Sequence, residues 1–216
     1  MSRRSFDRIA KLYRVVEYLF LGGSLQRARV AHLASLAQAR RILILGEGDG
    51  RFLQCLLRSN PNCEVTIVEA SSEMTKLAQR RTAGDSQRTS FVLKDATTFL
   101  AEVPEPAVFD GVVTLFFLDC FDEPELTLLI RRLVQRLKPG GLWLYADFTL
   151  PSAAVARSLG RVLIAFLYQA FALLTDIRAR ELVNPRPILE ANGLVLETST
   201  ESLFGLLGSA VFSRRG

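Results

Sequence analysis

The chain has 216 residues, 49% of them hydrophobic, enough to bury one sizeable core and a length that suits one α/β domain. Its 27 basic and 22 acidic residues leave a net charge of +5, but the arginines are scattered in pairs such as Arg40-Arg41, Arg80-Arg81 and Arg131-Arg132. That is the pattern of solvated helix faces, and it disfavours a nucleic-acid partner. A single histidine, His32, and three cysteines, Cys55, Cys63 and Cys120, lack metal-ligand spacing, so no metal is expected, and the odd thiol suits a reducing compartment.

Along the chain, Phe6, Ile9, Tyr13, Val16 and Phe20 recur at helical spacing and Gly22-Gly23 stops them. Asp7, Arg8, Lys11, Arg14 and Glu17 interrupt this stretch, so it does not read as a secretory leader, and a cytoplasmic location is expected. Ser24 can cap a second helix running to about Leu36. From Arg41 the pattern changes to short apolar runs, which read as strands at Ile42–Leu45, Val65–Glu69, Ser90–Leu93, Gly111–Phe117 and Leu142–Phe148. Helix-period stretches separate them at Phe52–Arg58, Glu73–Arg81, Thr97–Val103 and Glu123–Leu137. Apolar strands alternating with helices predict a doubly wound, mainly parallel sheet covered on both faces. A helical block follows from Ser152 to Thr175. Within it Val162–Leu174 is nearly all apolar, but its 13 residues fall short of the roughly 20 that a membrane span needs. A buried or surface-docked helix is expected, which leaves peripheral contact with a membrane open. After a short helix ending near Asn192-Gly193, Leu194–Thr198 and Ser209–Ser213 predict two strands paired antiparallel across Glu201–Leu207.

The run ILILGEGDGRF places Gly46, Gly48 and Gly50 directly after a strand and at the mouth of a helix, where the backbone can turn sharply and lie against a ligand. Glu69 ends the next strand, 19 residues after Gly50, where a carboxylate can accept hydrogen bonds from both ribose hydroxyls of an adenosine. A nicotinamide dinucleotide site would share these features. Its fingerprint, however, needs a third glycine where Arg51 stands, and Glu47 and Asp49 in the turn would repel a pyrophosphate. The two acids suit a ligand carrying an ammonium and a sulfonium.

GEGDG resembles the first motif of class I S-adenosylmethionine-dependent methyltransferases. VEASSEM is similar to their acidic second strand, LKDA to their adenine-contacting loop and LKPGG to the turn before their fifth strand. The opening FDRIAKLY resembles the YDxxAxxY start of the branch containing quinone C-methyltransferases and bacterial phospholipid N-methyltransferases. The resemblance implies the seven-stranded fold of that family in a single domain over residues 1–216. Its parts would be a helical cap at 1–38, a cofactor-binding core at 41–148, an acceptor-side helical insertion at 152–192 and C-terminal strands at 194–213. It implies S-adenosylmethionine as cofactor and S-adenosylhomocysteine as product. Gly46, Glu47 and Gly48 would then line the methionine end, with Gly50 also among the cofactor-binding residues, Glu69 would bind the ribose with Ala70 and Met74 beside the adenine, and Asp95 with Ala96 would meet the adenine amino edge. Leu115, Phe116 and Phe117 would border the reactive methyl. Many members carry an acid where Ile44 stands here, and Glu47 is the candidate to replace it.

The acceptor is less constrained. Asp119, just beyond the fourth strand in FFLDCF, is the candidate general base, with a helix cap or a loop hydrogen bond as its alternative role. Tyr13 is a candidate to close over the cofactor or position the acceptor, and His32 reads as structural. TLFFLDCF lacks the Asn/Asp-Pro-Pro-Tyr/Phe run of enzymes that methylate base amines, and Cys120 lacks the preceding proline of the cytosine-C5 nucleophile motif. Phe116, Phe117, Phe121 and the apolar helix around Phe166, Tyr168 and Phe171 instead suggest a small, apolar or lipid-like acceptor. The competing readings are a nicotinamide-dependent oxidoreductase and a non-catalytic adenosyl-binding protein.

Overall fold

The computed structural model describes residues 23–102, 108–149 and 183–216. The first predicted helix with Tyr13, and the helical block with Val162–Leu174, lie outside these residues. Helix α1, Ser24–Val30, precedes a 3₁₀ turn at Leu33–Leu36. There follow β1 (Arg41–Leu45), α2 (Arg51–Ser59), β2 (Glu64–Glu69), α3 (Ser72–Arg81), β3 (Thr89–Leu93), α4 (Ala96–Glu102) and β4 (Phe109–Leu115). The remaining elements are α5 (Glu123–Arg136), β5 (Leu137–Phe148), α6 (Arg186–Ala191), β6 (Leu194–Ser202) and β7 (Leu207–Arg214). The strands form one sheet in the order β3-β2-β1-β4-β5-β7-β6. The pairs among β1 to β5 are parallel, and β7 runs antiparallel to both β5 and β6.

The apolar runs follow from this arrangement. In β1, Leu43 and Leu45 point into one core with Val112, Trp143 and Phe212, while Ile42 and Ile44 point into a second with Phe52, Leu53, Leu56 and Val113. A strand covered on both faces has no polar side, so alternation disappears. Ile44 is 1% exposed, in the second core, so the residue standing where many members of the resembled family carry an acid is a packing residue here.

Several local expectations are corrected. The helix expected from Ser24 to Leu36 breaks after Val30, with His32 at φ −116° before the 3₁₀ turn. Ser24 does not cap it: Gly23 is the N-cap, and Ser24 Oγ accepts from Arg27 Nη2 at 2.8 Å. The strand expected to reach Phe117 ends at Leu115, because Phe116 takes a left-handed φ of 55°. The C-terminal hairpin strands are longer than expected, leaving only Leu203 to Leu206 between them.

Candidate active site

The three glycines after β1 all have positive φ, and each does something different. At Gly46 a Cβ would stand 2.6 Å from the Phe117 ring, so the missing side chain lets that ring lie over the turn. At Gly50 it would stand 2.7 Å from Ala78 Cα, so α2 and α3 close on each other only with glycine there. At Gly48 nothing lies within 4 Å of the Cβ position. Gly48 therefore keeps an open cradle, of the kind a ligand can fill.

The acids around this turn divide in the same way. Asp49, 9% exposed, is paired with Arg51 Nε at 3.1 Å and Arg81 Nη2 at 3.3 Å, and Arg81 Nε also donates to its carbonyl. Asp49 is thus a structural charge, which corrects the expectation that both turn acids serve a cationic ligand. Glu69, 8% exposed, accepts from Gly48 N at 3.1 Å and Ser71 N at 2.9 Å. Burial raises its carboxyl above the usual range against these backbone donors. Glu47 Oε1 accepts from Leu53 N at 2.9 Å, while its Oε2 is buried without a hydrogen-bond partner. Burial pushes the Glu47 carboxyl up to about 8, with the Leu53 N–H and the Arg29 charge opposing and Asp49 and Glu69 reinforcing. Leaving a carboxylate oxygen buried and unpaired is costly, so a partner arriving from a ligand has much to gain.

The adenine-side candidates sit on the next two loops. Ser71 Oγ caps α3 by accepting from Met74 N at 3.2 Å, and Ala70 and Met74 are half-buried there. Asp95 begins α4: against a modest burial that would raise it, hydrogen bonds from Thr97 Oγ1 (2.6 Å) and Thr98 N (2.8 Å) hold its carboxyl below the usual range. Ala96 is buried beside it, in the core that contains Phe99 and Leu100.

The end of β4 forms the opposite wall. Leu115 is buried in the core, whereas the two phenylalanines after it diverge. Phe116 packs on Phe148 (ring centroids 5.4 Å apart) beneath the Arg29 guanidinium (5.1 Å), and Phe117 packs on Phe121 (5.1 Å). Asp119 N donates to Asp147 Oδ2 at 3.1 Å. Burial raises both carboxyls, and the Asp119 charge pushes Asp147 further. Asp119 does not cap α5. Asp122 does, accepting from Glu125 N at 3.0 Å.

The structure therefore gathers Gly46, Glu47, Gly48 and Glu69 around one turn and brings Phe116, Phe117 and Asp119 to the neighbouring strand end, with Tyr13 outside the described residues. Sequence reasoning missed two residues. Asp147 could have been found as an acid ending the apolar run LWLYADF, but Arg29 gives no signal, because only the docking of α1 against α2 and β7 brings it to this site. The cradle at Gly48, the unpaired oxygen of Glu47 and the carboxylate of Glu69 fit an adenosyl ligand with a cationic amino-acid end. Among the described residues no cluster of His, Cys, Asp and Glu could hold a metal ion.

Residues 42–141 match a family model described as a methyltransferase domain, which bears out the resemblance carried by GEGDG, VEASSEM, LKDA and LKPGG. The malonyl-[acyl-carrier protein] O-methyltransferase of Halalkalibacterium halodurans is 26% identical over 154 residues, covering 67% of this chain and 54% of that protein. The demethylmenaquinone methyltransferase of Thermotoga maritima is 32% identical over 82 residues, 37% of this chain and 36% of that protein. The chain thus spans about half or less of the length of the curated relatives it matches. The solved N-methyltransferase NodS of Bradyrhizobium japonicum, in complex with S-adenosyl-L-homocysteine, has the same fold, with a TM-score of 0.56, 18% identity and coverage of 99% of this chain and 91% of that one.

Proposed function

We propose that this chain, which carries a methyltransferase domain over residues 42–141, transfers a methyl group from S-adenosylmethionine to a small, apolar or lipid-like acceptor. The observation that carries the cofactor is the turn after β1: an open cradle at Gly48 beside Glu69, with the spare buried oxygen of Glu47 beyond it. Glu69 would take the ribose, Met74 and Asp95 the adenine, and Glu47 the methionine ammonium. Methyl transfer from a sulfonium is an in-line displacement, in which holding donor and acceptor aligned can supply a large part of roughly 7–11 kcal/mol of barrier reduction. Phe116 and Phe117 would hold that alignment, and Asp119, hydrogen-bonded to Asp147, would accept a proton from an acceptor that must lose one.

The relatives named above methylate an acyl-carrier-bound malonyl group and a quinone precursor by their names. Both names fit an acceptor outside nucleic acid, and the two aromatic pairs at the end of β4, Phe116–Phe148 and Phe117–Phe121, support an apolar one. Two measurements test the reading. S-adenosylmethionine and S-adenosylhomocysteine should raise the melting temperature while NAD and NADP leave it unchanged, since only a ligand of the native state stabilises it; stabilisation by NAD alone would favour an oxidoreductase. With methyl-labelled S-adenosylmethionine and fractionated extract of the source cells, label should enter the organic-soluble small-molecule fraction. Label in RNA or protein would overturn the apolar acceptor.

A further inference from the structure

Ile44, where many members of the resembled family carry an acid, is packed in the core, and Glu47 stands three residues later in the turn, where β1 has ended. The turn gives this acid different surroundings. Glu47 is faced by Arg29 from α1, Asp49 from the same turn and Glu69 from β2, with the Leu53 N–H of α2 on one oxygen and nothing on the other. Two neighbouring carboxylates and burial oppose its ionisation, and one cation favours it.

We propose that Glu47 is a proton-exchanging ligand of the cofactor, protonated until the amino-acid end arrives and releasing that proton to solvent as it pairs with the ammonium. This rests on the methyltransferase reading above. The balance is simple: a carboxylic acid and an ammonium become a carboxylate–ammonium pair, and one proton leaves. The buried, unpartnered Oε2 gains a charged donor, which is where charge-assisted hydrogen bonds are strongest. With the carboxyl at about 8 in the ligand-free protein, and the ligand's amino group, beside its own carboxylate, an ammonium at neutral pH, the exchange operates below about pH 8.

A matched pair of ligands tests this. S-adenosylhomocysteine and 5′-methylthioadenosine share the adenosine and the thioether, and only the first has the amino-acid end. Any proton released by Glu69 on binding the ribose is common to both. Titration calorimetry of the intact chain in buffers of differing ionisation enthalpy, at pH 6, 6.5 and 7, should show about one more proton released with S-adenosylhomocysteine. Relative to that of 5′-methylthioadenosine, its affinity should rise about tenfold per pH unit over that range. Glu47→Gln should remove the difference in slope and weaken S-adenosylhomocysteine while leaving 5′-methylthioadenosine unchanged. Equal proton release for the two ligands in the wild-type chain would overturn the proposal, whether or not the variant folds, and leave the methyltransferase reading intact. Failure of both ligands to bind would overturn that reading as well.

Discussion

Gly48 and Gly50 stand two residues apart with similar backbone angles, φ 73° and 85°, yet alanine at each should damage a different property. At Gly50 the added methyl meets the Ala78 backbone and the left-handed strain adds to the overlap, so stability should fall by roughly 2–4 kcal/mol. At Gly48 the methyl meets nothing in the protein. There only the strain of about 1–2 kcal/mol is felt, while the cradle is filled and nucleoside binding should weaken at least tenfold. Denaturant unfolding and S-adenosylhomocysteine titration of the two variants separate the effects. The glycine-rich turn itself was readable in the sequence, because three glycines after an apolar strand have few other uses. Which glycine serves packing and which serves a ligand was not, since that depends on Ala78 and Phe117, which lie 28 and 71 residues from the glycines they face. The same holds for the acids: Glu47 and Asp49 look alike in the sequence, and the pairing of Arg51 and Arg81 with Asp49 tells them apart.

Strands β1 to β3 and helices α2 to α5 begin and end within a residue or two of where periodicity puts them, because each has a continuous apolar run or a full helical stripe. Expectations missed where one residue's backbone departs from its neighbours'. Phe116 carries β-favouring character and still ends β4 by turning left-handed, which sends its ring towards Phe148 and the next ring towards Gly46. The hairpin between β6 and β7 shows the same effect. Leu203 and Phe204 both have positive φ, 51° and 57°, ahead of Gly205, and Gly205 N donates to Ser202 O at 3.1 Å. Such turns favour asparagine and glycine, so the sequence announces the connection but not the left-handed backbone of Leu203 and Phe204. Phe204 is 91% exposed and loses no packing when replaced. Phe204→Gly should therefore raise stability by about 0.5–1 kcal/mol, the strain relieved exceeding the added freedom of the unfolded chain. A melting-temperature increase of a few degrees checks it, and a decrease would mean the ring contributes at that position.

For the whole molecule, the buried carboxyls of the site make stability depend on pH in a direction opposite to that of ordinary paired acids. Glu47, raised by burial from 4.5 to about 8, binds its proton more tightly folded than unfolded. Its contribution is full below the unfolded value and is lost as pH rises through the folded one. Glu69, Asp119 and Asp147 are also raised by burial and act in the same sense. Asp95 and Asp110, held low by hydrogen bonds, act in the other and lose their contribution as pH falls. The ligand-free chain should thus be most stable in mildly acidic solution and weaken steadily from about pH 5 to pH 8, with Glu47→Gln flattening the decline. Denaturant midpoints across that range measure it; a stability that rises towards pH 8 would contradict the burial of these groups. The sheet order has a consequence of another kind, for biosynthesis. Strand β7 follows every other strand as the ribosome delivers them, yet it lies between β5 and β6. Until it emerges, the bonding edge of β5, the strand that ends in Asp147 and Phe148, stays open to any other extended segment in the cell. The nascent chain therefore carries an open edge beside the unfinished candidate site, and the arrival of β7 covers it.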